Sequence, residues 1–162
     1  MMDGPQSRIR LKRGYGLENI NIKIEKFDDA SFFVEDLFQR SFGQRPPTFP
    51  INYVAFLRSD LSSFKAVGYI HMTERGEYAL VGGLCVDVDH RHKKLGETLL
   101  HYVEGDVGEK KALFVQTNNP AIASRVGYEP TKIQYLMVKW TKSLSGEERE
   151  KMINEVAKLG PF

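Results

Sequence analysis

The chain contains 162 residues, of which 41% are hydrophobic and 27% are charged, and its net charge is +2. A chain of this size removes roughly 70% of its unfolded surface from water, enough for one domain with a sizeable core. The composition excludes a disordered chain, and no apolar run of about 18 residues could cross a membrane. The single cysteine, Cys85, excludes an internal disulfide and a cysteine-based zinc site. We expect a cytoplasmic protein without a secretory signal, membrane contact or metal ion.

The positive charge is concentrated near the N-terminus. Residues 1–14 carry a net charge of +3, and the other residues sum to −1. We expect residues 1–19 to form a basic arm that is mobile or loosely docked. The near-neutral remainder argues against nucleic acid as a partner, although the arm could give weak affinity for phosphates or an acidic partner.

The first predicted elements are a strand and a helix. Apolar and polar residues alternate over 20–25, which predicts a strand. Apolar residues at helical spacing predict a helix over 30–42, with Asp28 or Asp29 as its N-cap and Gly43 just after its end.

A β-rich region follows the proline-rich segment 44–50. Three β runs joined by short turns predict an antiparallel meander. The runs are Tyr53–Leu57, Lys65–Thr73 and Tyr78–Val88, with turns at 59–63 and 74–77. The last run is apolar at both odd and even positions, as expected of a strand that is covered on both faces.

The remaining elements alternate between helix and strand, so we predict a single α+β domain. The first two are a helix from Leu95 to about Gly105 or Gly108 and a strand Ala112–Gln116. A short helix follows, with Asn119 as its N-cap and Pro120 as its first residue, and then a β run Ile133–Trp140. The last element is a helix over 146–158, which begins with a capping box formed by Ser145 and Glu148. The domain covers 20–141, and residues 142–162 supply a C-terminal helix that packs on it.

The segment 84–100 carries the clearest chemical signal. A buried strand leads into a cation-rich turn and then into a helix, whose first N–H groups lack partners within the helix. Those groups and the helix dipole favour an anion, and Gly96 lets a ligand approach the backbone. The turn contributes positive charge through Arg91, His92, Lys93 and Lys94. The charge of this segment alone favours a solvated basic turn at a helix start.

The spacing V-x-x-x-x-R-x-x-x-x-G, formed here by Val86, Arg91 and Gly96, resembles the acyl-CoA motif of the GNAT superfamily of N-acyltransferases, Gln/Arg-x-x-Gly-x-Gly/Ala. The order of strands and helices around the motif matches the family as well. The segment 117–121 is similar to the family's Asn-containing helix start, and 127–130 to its Gly-Phe/Tyr turn. The resemblance covers about residues 20–141.

This resemblance implies a GNAT-like fold, a mixed and mostly antiparallel twisted sheet flanked by helices. It implies acetyl-CoA as co-substrate and direct transfer of its acetyl group to a primary amine of a small molecule or peptide. It is also compatible with a homodimer. It also assigns roles to residues. The amide of Leu84 would stabilise the oxyanion, and the backbone of Cys85 and Val86 would pair with pantetheine. The cofactor's remaining contacts would come from Arg91, His92, Lys93, Lys94, Leu95, Gly96, Thr98 and Asn119.

Two features depart from the family pattern. Lys94 stands where the family has its first glycine, and no tyrosine lies between Asn119 and Gly127 to act as general acid; Tyr128 matches a packing aromatic. Both departures favour the alternative of a catalytically silent GNAT-fold module that binds CoA or a partner.

The residues that would handle protons and the acceptor are less defined. The central strand contains no carboxylate, which leaves Glu77, His71 and His101 as candidate bases. Cys85 lies in an apolar strand, so we expect an inert buried thiol. In GNAT proteins the acceptor pocket is built by the first helix, the segment corresponding to 44–50 and the last hairpin. Here this suggests an aromatic-lined mouth made by Phe42, Phe49 and Tyr53, with core packing as the alternative for these residues.

Overall fold

A computed structural model describes residues 8–9, 22–46, 48–58, 64–117, 119–159 and 162. The predicted turn at 59–63 and most of the basic arm lie outside these residues. The strands are β1 (Arg8–Ile9), β2 (Ile22–Phe27), β3 (Ile51–Arg58), β4 (Phe64–Arg75), β5 (Tyr78–Val86), β6 (Ala112–Gln116), β7 (Glu129–Pro130) and β8 (Leu136–Trp140). The helices are α1 (Ser31–Phe42), α2 (Leu95–Asp106), α3 (Pro120–Arg125) and α4 (Gly146–Ala157), with a 3-10 helix at Val88–Lys93.

The eight described strands form one sheet in the order β1-β2-β3-β4-β5-β6-β8-β7. Neighbouring strands are antiparallel except β5 and β6, which are parallel. A parallel connection needs a crossover, and α2 provides it. The predicted meander and the mixed, mostly antiparallel sheet are therefore confirmed.

Helices cover both faces of the sheet. On one face, the apolar side of α2 packs on alternate residues of the central strands, and α3 joins the same cluster. On the other face, α1 covers β3 to β5, while α4 covers the β5, β6 and β8 region. The result is a three-layer domain with β5 near its centre, which explains why that strand is apolar at both parities.

Local sequence signals account for the ends of the helices. The Ser145 hydroxyl accepts the Glu148 N–H (3.1 Å), and the Glu148 carboxylate accepts the Ser145 N–H (3.2 Å), so the predicted capping box is present. Gly43 follows α1 in the left-handed conformation with φ 67°. The N-cap of α1 is Ala30 rather than the predicted Asp28 or Asp29, but Asp29 still accepts the Ser31 N–H (3.0 Å).

The last predicted β run is shorter in the structure than in the sequence pattern. Residues 131–135 form a turn, and the strand starts at Leu136 after Tyr135, whose φ is 67°. The Leu136 N–H donates to the Ile133 carbonyl (3.1 Å). The apolar pattern could not reveal this turn, because one left-handed residue interrupts the strand without changing the pattern.

Among the described helices, none is both long and apolar enough to span a membrane. The described side chains also contain no group of three or more potential metal ligands close together.

Candidate functional site

The central feature of the site is a gap between β5 and β6. The two strands pair from Tyr78 and Ala112 up to Val81 and Val115, and the pairing ends there. β5 nevertheless continues to Val86. Its last five residues therefore face a space on the side that β6 has left, where an extended ligand can lie alongside the strand.

A β-bulge interrupts β5 inside this gap. On the β4 side, Gly82 pairs with His71 and Cys85 pairs with Tyr69, so two residues of β5 stand against one residue of β4. Those two residues are Gly83 and Leu84, and Gly83 has φ 65°. The bulge takes Leu84 out of the regular ladder.

The glycines of the bulge make room for the imidazole of His71. A Cβ on Gly82 would lie 2.8 Å from Cε1 of His71, and a Cβ on Gly83 would lie 2.6 Å from its Cδ2. The ring of Phe49 stacks on the imidazole at 3.5 Å between centroids and 8° between planes. The bulge thus rests on a packed aromatic stack.

The loop after β5 is anchored by Asp87, whose side chain is 1% exposed. Its carboxylate contacts Arg40 of α1 (2.6 Å) and Lys65 of β4 (3.3 Å), and its N–H donates to the Val67 carbonyl (2.8 Å). Burial raises the pKa of Asp87, but the hydrogen bonds and charges of Arg40 and Lys65 outweigh it, so the net pKa is lowered. The start of the loop is therefore fixed against two other elements.

The loop reaches α2 through Lys94, which adopts the left-handed conformation with φ 58° and ψ 23°. This is the position at which the GNAT motif has its first glycine, and the backbone angle gives the physical reason for that glycine. The Lys94 carbonyl accepts both the N–H (3.1 Å) and the hydroxyl (3.0 Å) of Thr98.

Gly96 follows in the first turn of α2 and is buried. A Cβ there would be in ordinary contact with Ile122 at 3.5 Å and with Leu84 at 3.8 Å. A methyl group therefore fits, whereas a branched side chain would extend into the space beside these residues.

The gap, the bulge and the start of α2 open into one cavity of about 1110 Å³. A cavity of this size suits a large organic ligand. Its lining residues are Phe42, Gly83, Leu84, Cys85, Val86, Arg91, Gly96, Gln116, Thr117, Asn119, Ala121, Ile122, Arg125, Gln134, Tyr135 and Phe162.

Comparison with known protein families identifies the family of the chain. The model of the acetyltransferase (GNAT) family matches residues 21–124. The chain belongs to the GNAT family. It is an acetyltransferase that uses acetyl-CoA, and the cavity beside β5 contains most of the family's motif positions.

Solved structures of GNAT proteins share its fold. The Escherichia coli GNAT N-acetyltransferase YhbS, solved with CoA, is 19% identical, with a TM-score of 0.57 over 75% of this chain and 81% of that one. Arabidopsis thaliana NAA60 with a bisubstrate analogue is 14% identical, with a TM-score of 0.59 over 75% and 99%. Arabidopsis thaliana Naa50 with the bisubstrate analogue CoA-Ac-MVNAL is 16% identical, with a TM-score of 0.57 over 76% and 99%. No curated protein matches the sequence.

The structure brings six of the predicted site residues of this GNAT protein into the cavity wall: Leu84, Cys85, Val86, Arg91, Gly96 and Asn119. The Nε of Arg91 donates to the Val86 carbonyl (3.1 Å), so the guanidinium is tethered to the end of β5. Burial raises the pKa of the Cys85 thiol, in keeping with an inert side chain.

The other predicted site residues are placed differently. Leu95 and Thr98 are buried within α2, and the Thr98 hydroxyl is bonded to backbone. Lys94 is exposed at the start of α2. The backbones of His92 and Lys93 lie in the 3-10 helix, and their side chains are outside the described part of the chain. Contacts of all these residues with CoA stay predictions.

The candidate bases do not converge on one point. His71 is 2% exposed, and burial lowers its pKa to about 4. Its Nδ1 has no hydrogen-bond partner among the described residues. Glu77 is exposed and paired with Lys111 (3.1 Å), and His101 is exposed on α2. His71 alone contacts the bulge, although it lies behind the glycines rather than in the cavity wall.

The predicted aromatic mouth is confirmed only in part. Phe42 lines the cavity, whereas Phe49 stacks on His71. Tyr53 is buried in the core, and its hydroxyl donates to Asp106 (2.6 Å). Tyr128 is 4% exposed within the α2 core cluster, as expected of a packing aromatic.

Sequence patterns did not reveal several residues of the cavity wall. Arg125 comes from α3 and pairs with Glu97 of α2 (2.8 Å). Tyr135 comes from the turn before β8, and its carbonyl accepts the Thr117 N–H (2.9 Å). Both positions depend on how α3 and β8 pack beside β6, and no local motif marks them. The others are Gln116, Gln134 and Phe162.

Proposed function

We propose that this GNAT acetyltransferase binds acetyl-CoA in the gap between β5 and β6 and transfers the acetyl group directly to a primary amine of a peptide or small molecule. The observation that carries the proposal is the meeting of three features in one cavity: the bulge at Leu84, the free edge of β5 up to Val86, and Gly96 in the first turn of α2.

The backbone supplies most of the proposed cofactor site. The first-turn N–H groups of α2 and the positive end of its dipole suit the pyrophosphate. The Asp87 anchor fixes the start of the loop that precedes them. Arg91 and Arg125 add positive charge to the same wall, which matches the several negative charges of CoA.

The proposed oxyanion donor is the amide of Leu84. Because the bulge removes Leu84 from pairing with β4, and β6 has already separated, this segment lies outside both ladders. A fixed N–H aimed at the thioester oxygen would stabilise the charge that develops when the amine attacks.

The bisubstrate analogues bound to two structural neighbours bear on the acceptor, and one of them contains a peptide. NAA60 was solved with a bisubstrate analogue, and the analogue in Naa50 joins CoA to the peptide sequence MVNAL. The same fold therefore accommodates a peptide beside CoA, and we extend this acceptor class to the present chain.

The direct test is the effect of acetyl-CoA on thermal stability, together with release of free CoA in the presence of amines. At about 100 times its Kd, acetyl-CoA should add about 2.7 kcal/mol, or a rise in Tm of roughly 5–10 °C. Gly96→Val should abolish the shift, because its methyl groups extend beside Ile122 and Leu84. Arg91→Ala should weaken binding less, since the backbone carries most of the site.

The matched control is Gly105→Val on the same helix, where a Cβ would meet no atom within 4 Å. This variant should keep the full shift. If wild type shows no shift at millimolar acetyl-CoA, or if Gly96→Val and Gly105→Val bind equally well, the proposed cofactor site is wrong.

A further inference from the structure

The ionisable side chains in the described cavity wall are Arg91, Arg125, Cys85 and Tyr135. A guanidinium has no site that accepts a proton, and a phenol and a thiol in their neutral forms already carry one. Burial keeps Cys85 in that neutral form. Among the described residues, the wall thus offers an amine no side chain that is suited to remove its proton at neutral pH.

An acceptor that arrives uncharged avoids this requirement. The α-amine of a peptide has a pKa of about 7.7–8.0, against about 10.4 for a lysine side chain. At neutral pH the α-amine is therefore several hundred times more abundant in its nucleophilic form. This difference favours a peptide N-terminus over a lysine side chain.

The charge of the cavity wall also disfavours an acceptor that carries several ammonium groups. Both charged side chains among the described lining residues are arginines, Arg91 and Arg125, and Arg125 is partly neutralised by Glu97. None of the described lining side chains is a carboxylate, so the wall offers no partner for the additional ammonium groups of a polyamine.

Aromatic side chains indicate what the acceptor carries next to its amine. Phe42 at the end of α1 is 49% exposed and Tyr135 is 59% exposed, and both line the cavity. Tyr135 has φ 67°, a strained conformation for a tyrosine, and its backbone is held there by Thr117. The strained residue is thus an exposed aromatic residue of the cavity wall.

The wall also contains a group that holds a peptide N–H. The side-chain oxygen of Gln116 accepts the backbone N–H of Phe162 (2.8 Å). A backbone oxygen of Phe162 lies 2.5 Å from where a Cβ on Gly82 would be, which places the backbone of this residue beside the bulge. Backbone of an aromatic residue therefore fits at this end of the cavity.

We propose that the acceptor is the α-amine of a peptide whose first residue is aromatic or large and apolar, with Phe42 and Tyr135 contacting that first side chain. This inference rests on the proposed function and names its substrate class. The amine nitrogen forms a bond to the thioester carbonyl carbon, and the carbon–sulfur bond breaks. The proton lost by the nitrogen ends on the leaving sulfur, so the products are an N-acetyl peptide and free CoA.

The test is a panel of acceptors assayed with acetyl-CoA, with mass spectrometry to locate the acetyl group. The panel contains a peptide beginning with phenylalanine, the same peptide beginning with serine, an N-terminally blocked version with one internal lysine, and spermidine. We expect kcat/KM to be about tenfold or more higher for phenylalanine than for serine, because of buried apolar area. The lysine peptide and spermidine should be at least about a hundredfold poorer.

Alanine variants test the two aromatic contacts. Phe42→Ala and Tyr135→Ala should each raise KM for the phenylalanine peptide several-fold and leave KM for acetyl-CoA within about twofold, because the lost contact is to an apolar side chain. The control is Phe32→Ala, which lies on the same helix at 86% exposure and outside the cavity wall. It should behave as wild type.

Several outcomes would overturn the inference. These are equal use of the lysine peptide or spermidine, no preference between phenylalanine and serine, or aromatic variants that match Phe32→Ala. In each of these cases acetyl-CoA still binds and is turned over, so the proposed function survives. Absence of acetyl-CoA binding overturns both.

Discussion

Replacement of Lys94 separates the effect of backbone strain from that of side-chain charge. Lys94 has φ 58° and an exposed side chain. A left-handed conformation costs an L-residue about 1–2 kcal/mol. A glycine removes that strain but adds about 0.5–1 kcal/mol of backbone entropy loss on folding. Lys94→Gly should therefore raise the free energy of unfolding by about 0.5–1 kcal/mol, and Tm by roughly 2 °C.

Lys94→Ala keeps the strained backbone and removes the ammonium. If that ammonium contacts a phosphate of CoA, in line with the cofactor contact that the family resemblance implies for Lys94, Lys94→Ala should weaken CoA binding about fivefold at low salt. The loss should shrink at high salt, because an exposed charge is screened. Both variants lack the charge, so the difference in unfolding free energy between them measures the effect of the backbone conformation at position 94 alone.

The assays are denaturant unfolding without CoA and calorimetric CoA binding at two salt concentrations. Equal stability of the glycine and alanine variants would refute the argument from strain. Tighter CoA binding by both variants would refute the phosphate contact. Unchanged binding by both would show that the side chain at position 94 contacts only solvent.

Two further predictions concern buried ionisable groups. Burial lowers the pKa of His71 to about 4, so the folded protein resists protonation of this imidazole. The free energy of unfolding should therefore be unaffected by His71 above about pH 6.5 and should fall by about 3 kcal/mol as the pH decreases towards 4. His71→Gln should remove this dependence in denaturant titrations between pH 4 and 7.5, and an unchanged profile would count against it. The pKa of Asp87 is lowered in the folded protein, so its ionised carboxylate stabilises the fold fully above the usual aspartate pKa of about 3.9. This stabilisation is lost as the pH falls through the lowered pKa. Asp87→Asn should therefore be less stable than wild type at neutral pH and lose less stability in acid, and parallel acid profiles for the two proteins would contradict this assignment.

The sequence by itself determined most elements and the position of the cofactor motif. Periodicity placed α1, α2 and α4 within a residue or two, because an amphipathic helix repeats its apolar positions locally. The capping box of Ser145 and the spacing of Arg91 and Gly96 are also local patterns.

Only the tertiary structure decided how the cavity is walled and which conformations are strained. The pairing of β5 with β6 ends at Val81 because the strands diverge, which is a property of the whole sheet. Arg125 and Tyr135 reach the cavity from elements that lie far away in sequence, and no local pattern encodes such contacts. The left-handed backbone at Lys94 and Tyr135 is likewise imposed by surrounding packing, since the intrinsic preference of each residue is against it.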